Sequence, residues 1–93
     1  MSIREVFETK KQAQLDEWKS RLEAFRQKAD MEETNLQLEY YTLIDEVKLG
    51  LDDAHKKLEL LKQESDETWD KFKAEVETTW DSLDELIRSL TLP

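Results

Sequence analysis

The side chains that could do chemistry in this chain are few: one histidine, His55, and a large excess of carboxylates. Asp52-x-x-His55 has the i,i+3 spacing that puts a carboxylate and an imidazole on one face of a helix, which is half of a carboxylate-bridged metal site. The other half is absent unless a second copy supplies it, and a solvated histidine explains the pair with fewer assumptions. Glu77, Asp81 and Glu85 form an acidic row at i,i+4 spacing, which reads more simply as the charged solvent face of a helix than as a cation site. General acid–base work needs carboxylates in a sheltered cleft where burial shifts their pKa values. Cysteine is absent, so disulfides, thiol nucleophiles and thiolate metal sites go together. With no Gly-rich phosphate loop and no His paired to a nucleophile, no enzyme activity, cofactor or metal is expected.

The elements that would position these side chains are set by an apolar stripe. It runs through Leu15, Trp18, Leu22, Phe25, Ala29, Glu32, Leu36, Tyr40, Leu43 and Val47, and beyond Gly50 through Ala54, Leu58, Leu61, Ser65, Trp69, Phe72, Val76, Trp80, Leu83 and Ile87. Steps of three and four keep side chains on one helix face, so the fold class is all-α, built from long amphipathic helices. The chain has one Gly and one Pro, the Pro last, and almost nothing interrupts helix. Ser2 reads as an N-cap with Glu5 in capping-box position.

The two halves of the stripe are near mirror images about Gly50. Two successive steps of four, Tyr40 to Leu36 to Glu32, stand opposite two more, Leu61 to Ser65 to Trp69, as stutters do when partner helices unwind at one level. This spacing predicts an antiparallel helical hairpin or coiled coil with its turn near Gly50. The single domain 1–93 would then have arms at about 2–49 and 52–90, with Gly50 ending the first and Asp52 or Asp53 capping the second. Two alternatives stay open. Asp30 with Glu33 could cap a new helix, and a further break at Ser65-Asp66 would make a three-helix bundle. With no break at all the chain would be a continuous rod of about 135 Å.

Hydrophobic residues make up 38% and charged residues 40% of the 93 positions, a balance that suits long helices. A lone two-helix hairpin buries little at this size, so a homo-oligomer, with a dimer favoured, or another helical protein is expected as partner. The residues that would carry the packing are Trp18, Phe25, Leu36, Tyr40, Leu43, Val47, Leu58, Leu61, Trp69, Phe72, Val76, Trp80 and Leu83. Tyr41, Ile44, Leu51 and Leu60 widen the apolar face and form a candidate second contact face. A net charge of −9 argues against nucleic acid, whose phosphates would be repelled. No run of about 20 apolar residues and no signal-like apolar core occur, so a cytoplasmic location is expected.

The last arm carries an internal echo, ETWDKF and TTWDSL, which sets Trp69 over Trp80 at a spacing of eleven. Eleven-residue repeats average 3.67 residues per turn and keep a helix nearly straight. Aromatic residues on an amphipathic helix also raise reversible lipid-surface binding as an alternative function, which the acidic balance weakens. The runs LDEWKSRLEAFRQKAD, LEYYTLIDEV and KLELLKQESDETWDKFKAEVETTWDSL resemble small bacterial coiled-coil proteins with apolipoprotein-like amphipathic helices, over about residues 12–88. The paired tryptophans are the most distinctive part, and Gly50 departs from the pattern. The resemblance implies helical architecture and no catalytic residues. The function expected is that of a non-enzymatic structural or protein-interaction protein that self-associates.

Overall fold

The computed structural model describes residues 2–90. They form three helices, α1 (Ile3–Ala29), α2 (Thr34–Gln63) and α3 (Asp66–Arg88). The Ser2 hydroxyl accepts the Glu5 backbone N–H at 3.1 Å and starts α1. Glu5 in the first turn of α1, Asp66 and Glu67 in the first turn of α3, and basic residues in all three last turns oppose the helix dipoles.

The turn expected near Gly50 is not formed. Gly50 lies inside the 30-residue α2, so the boundary between the expected arms falls in mid-helix and pairs such as Leu43 and Leu58 belong to one helix. The backbone reverses instead at residues 30–33 and 64–65. Neither reversal uses Gly or Pro, and no described residue has a positive φ. Glu33, Glu64 and Ser65 are simply extended, with ψ of 150°, 151° and 162°, a conformation any residue adopts. Asp30, which in the three-helix alternative could cap a new helix, is the C-cap of α1, and the Gln37 amide donates to the Ala29 and Asp30 carbonyls at 3.2 and 3.0 Å. That bond lets the second helix satisfy acceptors left open by the end of the first.

The two stutters mark these reversals. Glu32 sits in the first turn and Ser65 in the second, so the stripe's one carboxylate is not buried in the core. Gly50 has a packing role: a Cβ there would lie 2.9 Å from Leu83 Cδ1 and 3.8 Å from Leu86 Cδ1. Its missing side chain lets α2 and α3 approach closely at that level.

Helix order follows from the contacts. Phe25 stacks edge-on against Tyr40 beside the first turn, while Arg4 at the start of α1 reaches Leu61 and Lys62 at the end of α2. The two helices therefore run in opposite directions. α3 reverses again and lies parallel to α1, with Arg4 to Asp66, Phe7 to Trp69 and Trp18 to Trp80 all at one offset of 62 residues. A single core joins the three, including Leu15, Trp18, Phe25, Val47, Leu51, Leu58, Leu61, Trp69, Val76, Trp80, Leu83 and Ile87. No buried side chain among the described residues is polar or charged. The Cα envelope measures 52 × 20 × 17 Å, close to the length of α2 alone at 1.5 Å per residue.

Candidate interaction surfaces

Most of the stripe is spent inside the chain. Trp18, Phe25, Val47, Leu58, Leu61, Trp69, Val76, Trp80 and Leu83 are buried, while Leu36, Tyr40, Leu43 and Phe72 are half-buried at the margins. The candidate second face divides. Ile44 and Leu51 are buried in the chain's own core, whereas Tyr41 and Leu60 are 37% and 51% exposed. The face looked wider than a two-helix seam because α2 packs on two neighbours, α1 on one side and α3 on the other.

At one end of the molecule a polar cluster ties the helices together. The Arg4 guanidinium donates to the Leu61 and Lys62 carbonyls at 3.2 and 3.0 Å, to Asp66 at 3.0 Å and to Glu8 at 3.3 Å. One side chain from α1 thus closes the C-terminus of α2 and pairs with the first turn of α3, and its planar fork suits several acceptors at once. Glu8 also accepts the Trp69 indole N–H at 3.0 Å. Beside it, Lys11 and Lys73 each stand 5.3 Å from the Phe7 ring centroid, and Arg4 and Lys73 each stand 5.8 Å from that of Trp69. Cations over aromatic faces stabilise this α1–α3 seam. Trp80 repeats the position of Trp69 one eleven-residue step along, but its indole N–H is buried with no acceptor among the described residues.

At the other end Tyr41 donates its hydroxyl to the Asp30 carboxylate. That hydrogen bond, with some desolvation, raises the Tyr41 pKa above its ordinary value. Arg26 is likewise raised, chiefly by its hydrogen bond to Glu23.

The residues first considered for chemistry do not assemble. His55, Asp52, Glu77, Asp81 and Glu85 are all exposed. Among the described residues no group of three or more His, Cys, Asp or Glu side chains is placed to hold a metal ion. The grooves between helices are open to solvent. One along α1 is lined by Glu5, Glu8, Gln12, Asp16 and Lys62, and Glu5 and Asp16 in it are exposed.

The outward side of α2 holds, beside Leu60 of the candidate second face, two leucines that the sequence reading passed over. Leu38 and Leu49 are 70% and 71% exposed and, with Leu60, recur every eleven residues. Their signal was present as a second apolar period on the same helix, hidden by the stronger stripe of its opposite face. Among the described residues no helix is long and apolar enough to cross a membrane. Comparison with protein-family models, with curated proteins and with solved structures finds no match for this chain.

Proposed function

We propose that this chain is a non-enzymatic structural or protein-interaction protein that works by helix-to-helix contact, its partner a second copy of itself or another helical protein. The observation that carries the reading is the division of apolar residues into two sets. One set closes a core within the chain. Of the exposed set, Ile3 and Met31 stand near helix ends and Tyr41 bonds Asp30, while Leu38, Leu49 and Leu60 share a single side of one helix. Recurrence along one line of a helix sets these leucines apart from singly scattered apolar side chains, which need no explanation. With the stripe internal, self-association moves to outer faces of the bundle, or to exchange of a helix between copies. The open grooves and scattered carboxylates support a role without catalysis, metal or cofactor. The net charge of −9 supports a partner other than nucleic acid. A cytoplasmic location and kinship with the small bacterial coiled-coil proteins with apolipoprotein-like helices belong to the same proposal.

A second reading, reversible binding to a lipid surface, draws on α3. Its buried face holds Trp69, Val76, Trp80, Leu83 and Ile87 along one side of an otherwise polar helix, and opening of the bundle would present that face to lipid. Molar mass by light scattering across a concentration series, with and without phosphatidylcholine vesicles, separates the two. A mass that rises reversibly with concentration supports the interaction reading. A strict monomer that gains helicity and sediments with vesicles contradicts it and supports the lipid reading.

A further inference from the structure

The exposed leucines of α2 lie eleven residues apart, and eleven residues at 3.6 per turn return to within about 20° of the same direction. Leu38, Leu49 and Leu60 therefore form one straight row about 33 Å long, on the side of α2 opposite Val47, Leu51, Ala54 and Leu58. The interior shows what this spacing does in this protein. Phe7 and Trp18 on α1, eleven apart, meet Trp69 and Trp80 on α3, also eleven apart, in register. The row on α2 has the same period, with no helix of the described residues against it.

Charge decides what kind of helix fits. Around the row stand Glu39, Asp45, Glu46 and Asp52, none of them in an ion pair among the described residues. Asp53 is held by Lys57 at 3.1 Å, and the exposed cations beside the row are Lys48 and Lys56, which the acids outnumber. A second copy is a poor occupant. Antiparallel pairing about Leu49 brings Asp45 level with Asp52 on one flank and Glu46 level with Asp53 on the other, and parallel pairing brings Asp45 level with Glu46 and Asp52 level with Asp53. Like charges across an interface suppress association. We propose that the outer face of α2 docks one basic amphipathic helix of a partner protein, with apolar residues every eleven positions and Lys or Arg on both flanks. This rests on the reading of the chain as an interaction protein and names the partner's chemistry. Three leucines make a small contact, so the affinity falls in the micromolar range, on the order of 1–100 µM, and weakens with salt.

The test is a fluorescence-anisotropy titration of the full chain against a labelled synthetic helix of three eleven-residue repeats, with Leu once per repeat, Lys on its flanks, and Ala and Gln elsewhere. Two variants accompany it, Leu38→Gln/Leu49→Gln/Leu60→Gln and Asp45→Asn/Glu46→Gln/Asp52→Asn. All six residues are exposed, so helicity by circular dichroism should match the unsubstituted chain. Each set should weaken binding at least about tenfold. Binding that survives the leucine set is diffuse charge attraction and overturns the proposal, as does no binding to the unsubstituted chain. A molar mass that rises with concentration and falls back in Leu49→Lys assigns the face to a second copy and also overturns it. Phosphatidylcholine-vesicle binding lost with the leucine set would assign it to lipid, with the same result. Self-association that these leucines do not affect would leave the broader interaction reading standing while the peptide result decides the α2 face alone.

Discussion

Substitution of Gly50 tests the α2–α3 contact through a double-mutant cycle. Alanine at position 50 gains helix propensity of about 1 kcal/mol over glycine in a helix interior. Its Cβ, however, would sit 2.9 Å from Leu83 Cδ1, closer than carbon atoms approach without displacement. Leu83 is buried and has little room to turn, so the strain costs about 1–3 kcal/mol. Gly50→Ala should therefore be neutral to destabilising by about 2 kcal/mol in the unsubstituted chain. Leu83→Ala alone should cost about 2–5 kcal/mol through the cavity it leaves. In the Leu83→Ala background the clash is gone and propensity acts alone, so Gly50→Ala should stabilise by about 1 kcal/mol. The coupling, read from urea unfolding of the four proteins, should be about 1–3 kcal/mol. A hairpin turn at Gly50 makes the opposite forecast, because alanine would then be strained by a left-handed backbone whatever stands at position 83. Equal destabilisation in both backgrounds would refute the packing argument.

Further outcomes follow from the same contacts. Leu58→Ala, at a fully buried position of α2, should cost about 2–5 kcal/mol, whereas Leu49→Ala, on the exposed side of the same helix, should stay within about 0.5 kcal/mol; urea midpoints that do not separate them would contradict the rotational setting of α2. Trp69→Phe breaks the 3.0 Å bond from the indole to Glu8, while Trp80→Phe removes a buried N–H that has no acceptor among the described residues. The first should cost about 1–3 kcal/mol more than the second, and the reverse order would count against the asymmetry. Tyr41 should titrate above the ordinary 10.0 because its neutral phenol donates to Asp30. Its contribution to stability is full below pH 10 and is lost as the pH rises through the raised value. Phenolate absorbance should show a lower Tyr41 pKa in Asp30→Ala, and an unchanged titration would remove that hydrogen bond from the account.

The helices and most of the core could be read from the residues, because a stripe with steps of three and four survives any arrangement of its segments. Trp18, Phe25, Val47, Leu58, Trp69 and Leu83 face inward in a hairpin and in three helices alike. The connectivity could not be read so directly. Both reversals are made by Asp, Glu, Ser and Met in ordinary conformations, while the one glycine, the residue that most often announces a turn, serves a close helix contact. The paired steps of four near Glu32 and Ser65 were real signals of something shared by two levels of the stripe. They mark the two ends of α2, where the chain leaves the helix, and not a matched unwinding of two arms. The expectation of obligatory partners followed from the hairpin. Three helices give each face of the stripe a neighbour within one chain, and the outer leucines of α2 are then the exposed apolar residues that recur along one helix face.

Small-angle scattering with absolute molar mass, measured together across a dilution series, tests the architecture most directly. Three helices predict a single-chain particle at low concentration, with a Cα radius of gyration of 15.4 Å and a long axis of 52 Å, both enlarged slightly by side chains and hydration. A particle near 70 Å long with the mass of two chains, as arms of about 48 residues at 1.5 Å per residue would give, would contradict the account and return the turn to Gly50.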